Sequence, residues 1–154
     1  MNIENTQNLL TYIDLFQGLS PAELARVGEY THRRVSPAGA DIITAEEPGE
    51  VVYLILSGTI KIHMEQEDGR DVILAILGPG DTLGEMSLVD SAGRSASAVT
   101  LEYTILLWMD RRAFQLCLED FPQISLNLVR ILSSRVRLAN ELIQALATLD
   151  VNGR

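Results

Sequence analysis

The stretch from Gly78 through Pro79, Gly80 and Asp81 to Gly84, Glu85, Met86, Ser87 and Leu88, followed by Gly93, Arg94, Ser95 and Ala96, concentrates residue types able to hold a charged small molecule. Two glycines and a proline force turns and let backbone approach a ligand closely. Gly84 then opens the segment 85–89, long enough for one or two turns of helix. The first amide N–H groups of such a segment, over Gly84, Glu85, Met86 and Ser87, have no intrahelical acceptor. With the positive end of a helix dipole they form an anion site whose usual occupant is phosphate. Arg94 stands at the head of the next strand, where a planar guanidinium can bond two phosphate oxygens, and the Ser95 hydroxyl adds a donor.

Glu85 sharpens this reading. A carboxylate repels phosphate and accepts hydrogen bonds only, so its place in an anion site implies a ligand with a donor close to its phosphate, and a ribose hydroxyl fits. Taken singly, Glu85 reads as a charge at a helix N-terminus and Arg94 as a solvated strand charge. Together with the glycines they read as two ends of one grip.

The elements that must position this grip are short. After Arg34 glycine recurs every eight to twelve residues or less, at 39, 49, 58, 69, 78, 80, 84 and 93, which predicts a sandwich or barrel of antiparallel strands. Strands are expected over 31–35, 41–44, 51–56, 59–66, 71–77, 95–100 and 103–110, with a hairpin turn at Asp68-Gly69. Apolar positions Leu9, Leu10, Ile13 and Phe16 predict an amphipathic helix over 6–16, and Ser20-Pro21-Ala22-Glu23 predicts a helix start with a capping box, running to about Tyr30. The fold class expected is mainly β with flanking helices: a double-stranded β-helix, a jelly-roll-like β-roll, followed by a long C-terminal helix.

A short helix over 111–119 precedes that last element, an uninterrupted run over 122–149 free of Gly and Pro. Its 28 residues span ~42 Å as a helix, against a radius of gyration of ~15 Å for a chain of this length. Ile124, Leu128, Ile131, Arg135, Leu138, Leu142, Ala145 and Leu149 form one seam, and Leu132, Val136, Ala139, Ile143 and Leu146 a second stripe beside it. Two adjacent stripes call for two surfaces, one on the roll and one on a partner helix, so a parallel homodimer through 122–149 is expected. A single broad stripe lying on its own core is the alternative. The domain reading is a roll with N-terminal helices over 1–121 and a dimerisation helix over 122–149, followed by a short tail over 150–154.

Composition limits the function classes. The 154 residues include 12 Lys or Arg and 21 Asp or Glu, a net charge of −9, which argues against a phosphate-backbone footprint and hence against DNA binding by this chain alone. One cysteine, Cys117, excludes an intrachain disulfide framework, a CxxC pair and a Cys-ligated cluster, and it reads as a buried small hydrophobe. Only His32 and His63 are present, in different expected strands, and each reads as a surface or packing residue. No metal site, HExxH or Ser-His-Asp ordering is found, which sets aside a cupin-like enzyme, and a haem or redox sensor remains a rival of another class. Trp108, Met109 and Phe114 read as core. No apolar run reaches membrane-span length and no signal peptide is recognisable, so the expectation is a cytoplasmic protein with no membrane partner.

At these residues the sequence resembles the cyclic-nucleotide-binding domains, in particular the effector domain of the bacterial cyclic AMP receptor protein (Crp/Fnr) family of transcription regulators. The matching signs are Leu56-Ser57-Gly58, Gly78-Pro79-Gly80-Asp81, the cassette Gly84-Glu85-Met86-Ser87-Leu88, Arg94-Ser95-Ala96, the long helix after Pro122 and the tail from Leu149 to Arg154. The ordered set covers nearly the whole chain from about Leu15. The resemblance implies a non-enzymatic, allosteric sensor that binds a 3′,5′-cyclic nucleotide, cAMP favoured. Glu85 would accept from the ribose 2′-hydroxyl, and Arg94 and Ser95 would hold the cyclic phosphate, assisted by amides around Gly84 and Glu85. Arg135 would lie near the pocket and the dimer seam. Gly93 stands where many members have proline, and Ala139 and Asn140 stand where the cyclic AMP receptor has a Thr-Ser pair facing adenine. Asn140, with both a donor and an acceptor, would read the base. The tail resembles the hinge into a helix-turn-helix domain, so DNA contact is expected only through a C-terminal domain absent from this chain. A ligand-free dimerisation module, or one for another effector such as a cyclic dinucleotide, is the alternative.

Overall fold

A computed structural model describes residues 8–43, 51–84 and 96–152. Ser20 starts helix α1 (Pro21–Gly28) with the expected capping box: the Glu23 amide donates to Ser20 Oγ at 3.2 Å, and the Ser20 amide donates to Glu23 Oε1 at 2.9 Å. Among the described residues eight strands follow: β1 (His32–Ser36), β2 (Asp41–Ile43), β3 (Val51–Ser57), β4 (Ile60–Glu65), β5 (Asp71–Leu77), β6 (Thr82–Leu83), β7 (Ser97–Thr100) and β8 (Thr104–Asp110). They form two four-stranded sheets, β1-β8-β3-β6 and β2-β7-β4-β5, and every pairing is antiparallel. Helix α2 (Arg111–Asp120), capped by Asp110 Oδ1 on the Ala113 amide at 2.8 Å, leads into α3 (Pro122–Asn152). This is the β-roll with a long C-terminal helix that the pattern predicts.

The strand run Val52, Tyr53, Leu54, Ile55 shows no polar alternation because β3 is buried on both faces. Val52 and Leu54 pack with Leu107 and Met109 of β8 toward the helices, among Leu10, Ile13, Leu24, Phe114, Phe121, Ile124 and Leu128. Tyr53 and Ile55 point the other way, into the roll interior with Leu106, Ile42, Ile60, Leu83 and Ala98. Among the described residues, no helix contributes to the apolar cluster of the second sheet. Edge strand β5 leaves Val72, Ile73, Leu74 and Ile76 exposed.

The hairpin between β4 and β5 is built as its sequence dictates. Gly69 takes φ +87°, and the Gln66 amide donates to the Arg70 carbonyl at 2.7 Å. Gly58, between β3 and β4, has φ +103°, and a Cβ there would lie 2.7 Å from Thr104 Cα, so only glycine fits.

Three expectations need correction. The single helix over 6–16 is broken: residues 8–10 are helical, and a separate 3₁₀ turn spans Asp14–Phe16. The amides of Tyr12 and Ile13 bond three residues back, and the Asp14 amide goes to the Gly80 carbonyl at 3.0 Å, which ends the helix and turns Leu15 into the core. β6 was not expected at all, because two residues carry no periodicity. Helix α3 packs on the roll only through its first turns, so the alternative of one broad stripe lying along its own core is not found. Ile124 and Leu128 are buried and Ile131 and Leu132 pack partly, but Val136, Leu138, Leu142, Ile143, Leu146 and Leu149 are exposed. Both stripes outrun the roll: the 31 residues of α3 extend ~47 Å, past the expected end at 149.

Candidate functional site

The approach to the cassette is the best-built part of the site. The turn at 78–81 is closed by the Asp81 amide on the Gly78 carbonyl at 3.1 Å and by the Gly78 amide on Asp81 Oδ2 at 2.9 Å. It is stapled to β3, since Gly80 N–H donates to the Ile55 carbonyl and Ile55 N–H to the Asp81 carbonyl, both at 2.9 Å. β6 then pairs Leu54 with Thr82 and Tyr53 with Leu83. Gly84 follows with φ +91°, and the next described strand, β7, belongs to the second sheet. Glu85, Met86, Ser87, Arg94 and Ser95, and the expected short helix at 85–89, lie outside the described residues.

The long helix touches this approach directly. Arg135 Nη2 donates to the Thr82 carbonyl at 3.1 Å. Of the expected site residues that are described, Gly84 and Arg135 are thus brought to one place, two residues apart along β6 and its end. Among the described residues no hydrogen bond joins Asn140 to the roll: it is exposed on the projecting half of α3, where it lines an open groove with Val129, Leu132, Ser133, Val136 and Arg137.

Two features escaped the sequence reading. Thr82 Oγ1 is buried without a hydrogen-bond partner, beside a carbonyl that Arg135 satisfies. Asn127, 4% exposed, joins α3 to the 3₁₀ turn, with Nδ2 donating to the carbonyls of Leu15 at 2.9 Å and Gln17 at 2.7 Å. The only sequence signal for Asn127 is a lone amide between the seam residues Ile124 and Leu128.

The remaining polar chemistry is structural. Burial, reinforced by the nearby Asp81 carboxylate, raises the pKa of Asp14 above 3.8. Burial, then the charge of Asp120, pushes the Cys117 thiol up to about 11, against a smaller opposing pull from Arg26; such a thiol is a poor ligand and nucleophile. The His32 ring packs on Trp108 with centroids 4.4 Å apart, and His63 Nδ1 lies 2.8 Å from Asp71 Oδ1. Among the described residues no group of three or more His, Cys, Asp or Glu could hold a metal, and no helix is long and apolar enough to cross a membrane.

The family pattern of the cyclic nucleotide-binding domain matches residues 33–121, from β1 to the end of α2. The chain belongs to the cyclic nucleotide-binding domain family. As a member it is 36% identical over 146 residues to a CRP-like cAMP-activated global transcriptional regulator of Mycobacterium tuberculosis, covering 95% of this chain and 65% of that protein. The crystal structure of the catabolite activator protein of Thermus thermophilus superposes with a TM-score of 0.80 at 36% identity, covering 87% of this chain and 63% of that one. A cyclic nucleotide-binding domain from Methylobacillus flagellatus gives 0.79 at 26% identity, covering 93% and 83%. This cyclic nucleotide-binding domain therefore spans just under two thirds of the curated regulators it matches. The family is one of binding domains, and these relatives carry the names of regulators and not of enzymes.

Proposed function

We propose that this chain is the effector domain of a CRP-type transcription regulator that binds a 3′,5′-cyclic nucleotide, cAMP by preference, and signals occupancy through a parallel α3 dimer. The observation that carries the signalling half of this reading is the bond from Arg135 to the Thr82 carbonyl, which ties the long helix to the strand entering the cassette. The preference for cAMP is supported by the names of the most similar regulators. Glu85 accepts from the ribose 2′-hydroxyl, Arg94 and Ser95 hold the cyclic phosphate, and the amides from Gly84 to Ser87 complete the anion site. Asn140 offers its amide to the base. A ligand that touches the cassette with its phosphate and α3 with its base favours the helix placement that allows both contacts, which biases the dimer.

The exposed stripes at 136–149 support dimerisation, because contiguous apolar surface of this kind marks an interaction site. DNA contact resides in a part of such a regulator outside these 154 residues, consistent with the charge of −9. The cytoplasm is the compartment in which such a sensor works. Calorimetric titration with cyclic AMP, cyclic GMP and a cyclic dinucleotide tests the reading. Saturable binding of cyclic AMP, tighter than of the others, is expected. Tighter binding of the dinucleotide identifies another effector, and heat from none of the three leaves a ligand-free dimerisation module.

A further inference from the structure

We propose that Asn127 is a positioning residue: the joint through which the first turns of α3 hold the turn that enters the cassette. The inference deepens the cyclic-nucleotide reading and takes its functional meaning from it, while the mechanical link stands on contacts alone.

The link has four parts. First, the Asn127 side-chain amide is fully used. Both Nδ2 protons go to the carbonyls of Leu15 and Gln17, and Oδ1 accepts from Gln123 Nε2 at 2.9 Å. Second, the 3₁₀ turn it grips reaches forward, with the Asp14 amide donating to the Gly80 carbonyl at 3.0 Å. Third, that approach has room for nothing larger: Gly80 sits at φ +94°, and a Cβ there would lie 2.9 Å from the Tyr12 carbonyl oxygen. Fourth, Gly80 is bonded in turn to Ile55 of β3 and lies two residues before Thr82, whose carbonyl Arg135 holds. The helix therefore grips the 80–82 segment twice, indirectly from Asn127 and directly from Arg135, at points eight residues apart in sequence and roughly 12 Å apart along the axis. A tilt of α3 against the roll moves 80–82 or breaks one grip.

Packing alone does not account for the residue. Position 127 lies between Ile124 and Leu128 on the buried face, where leucine would fill the space with apolar contact. Leucine would leave two main-chain carbonyls without donors, and aspartate, an acceptor only, would set a carboxylate against both. An amide supplies two donors and one acceptor in the arrangement found.

Amide hydrogen exchange on the whole chain tests the joint. In Asn127→Asp, exchange at the Asp14 and Gly80 amides is expected to accelerate roughly tenfold beyond the factor seen at Lys61 and Val99 of the second sheet, which reports overall stability. Acceleration of equal size at all four amides overturns the proposal, since a merely structural residue acts that way. Should Asn127→Asp fail to fold, Gln123→Met keeps both donors of Asn127 but frees its amide to rotate. A local acceleration of about threefold is then expected at the same two amides, and none there overturns the joint.

A second arm adds saturating cyclic AMP. In the parent it is expected to raise protection over 122–131, and in Asn127→Asp the nucleotide still binds but that gain is lost. An equal gain in the variant overturns the proposal. If cyclic AMP does not bind the parent, the cassette reading fails, and the ligand-free comparison still decides the joint.

Discussion

Arg135 Nη2 and the Thr82 carbonyl oxygen are 3.1 Å apart across 53 residues of sequence, and they fasten the long helix to the strand that opens the cassette. A guanidinium donating to a carbonyl is a charge-assisted bond, stronger than a neutral pair and directional enough to fix the angle between helix and strand. Replacing it by alanine is expected to lower stability by about 1–2 kcal/mol, the lower part of the range for hydrogen bonds to charged groups because the site is half exposed. Arg135→Lys should recover part of that. Urea denaturation measures the loss, and a midpoint unchanged in Arg135→Ala would contradict it.

Thr82 offers a change of opposite sign. Its buried hydroxyl has no partner, so Thr82→Val removes an unsatisfied group at almost constant volume and should raise stability by about 1 kcal/mol. A lower urea midpoint in the valine variant would show that the hydroxyl is satisfied in solution.

Exposed seam residues set the next expectation. Leu138 and Leu142 are 64% and 62% exposed in the single chain. The parent should sediment at twice the chain mass, and the double variant Leu138→Glu, Leu142→Glu at the chain mass. Equal sedimentation of the two refutes the seam.

The cassette itself is tested at Arg94. Truncation to alanine should cost roughly 2–5 kcal/mol of cyclic-nucleotide affinity, as for one partner of a buried charge pair. Lysine keeps the charge but not the fork, and should fall between. Parent-like affinity for Arg94→Ala in calorimetry would remove the clamp.

Asp14 gives a pH dependence whose sign follows from its raised pKa, caused by burial first and the Asp81 charge second. Between the unfolded value, near 3.8, and the higher folded value, the folded state holds the proton and the unfolded state has released it. The contribution of Asp14 to stability is therefore full below the unfolded value and is lost as pH rises through the window. Asp14→Asn should stabilise the protein at pH 7, with a gain that fades in acid below the unfolded value. A gain independent of pH would point to a cause other than charge.

Much of the fold was legible because its punctuation is local. The capping box at Ser20 and Glu23, the Asp68-Gly69 hairpin and the break at Pro122 each depend on a few adjacent residues, and each is found where the residue types place it. The N-terminal helix was misread because a tertiary bond, from Asp14 to Gly80, outweighs the three- and four-residue spacing of Leu10, Ile13 and Phe16. The site was legible as a motif and not as a mechanism. The cassette residue types stand in a row, whereas the grips of Arg135 and Asn127 join positions 53 and 112 residues apart, which no local pattern reports. Asn127 in particular looks like an interruption of an apolar seam until Leu15 and Gln17 are beside it.

β3 and β8 each feed alternate side chains to two separate apolar clusters. Losing or gaining one residue in either strand would send the side chains beyond it into the opposite cluster, disrupting the packing of both at once. A one-residue insertion between Val51 and Leu56 is therefore expected to destabilise the domain far more than one at the exposed tip of the β4–β5 hairpin.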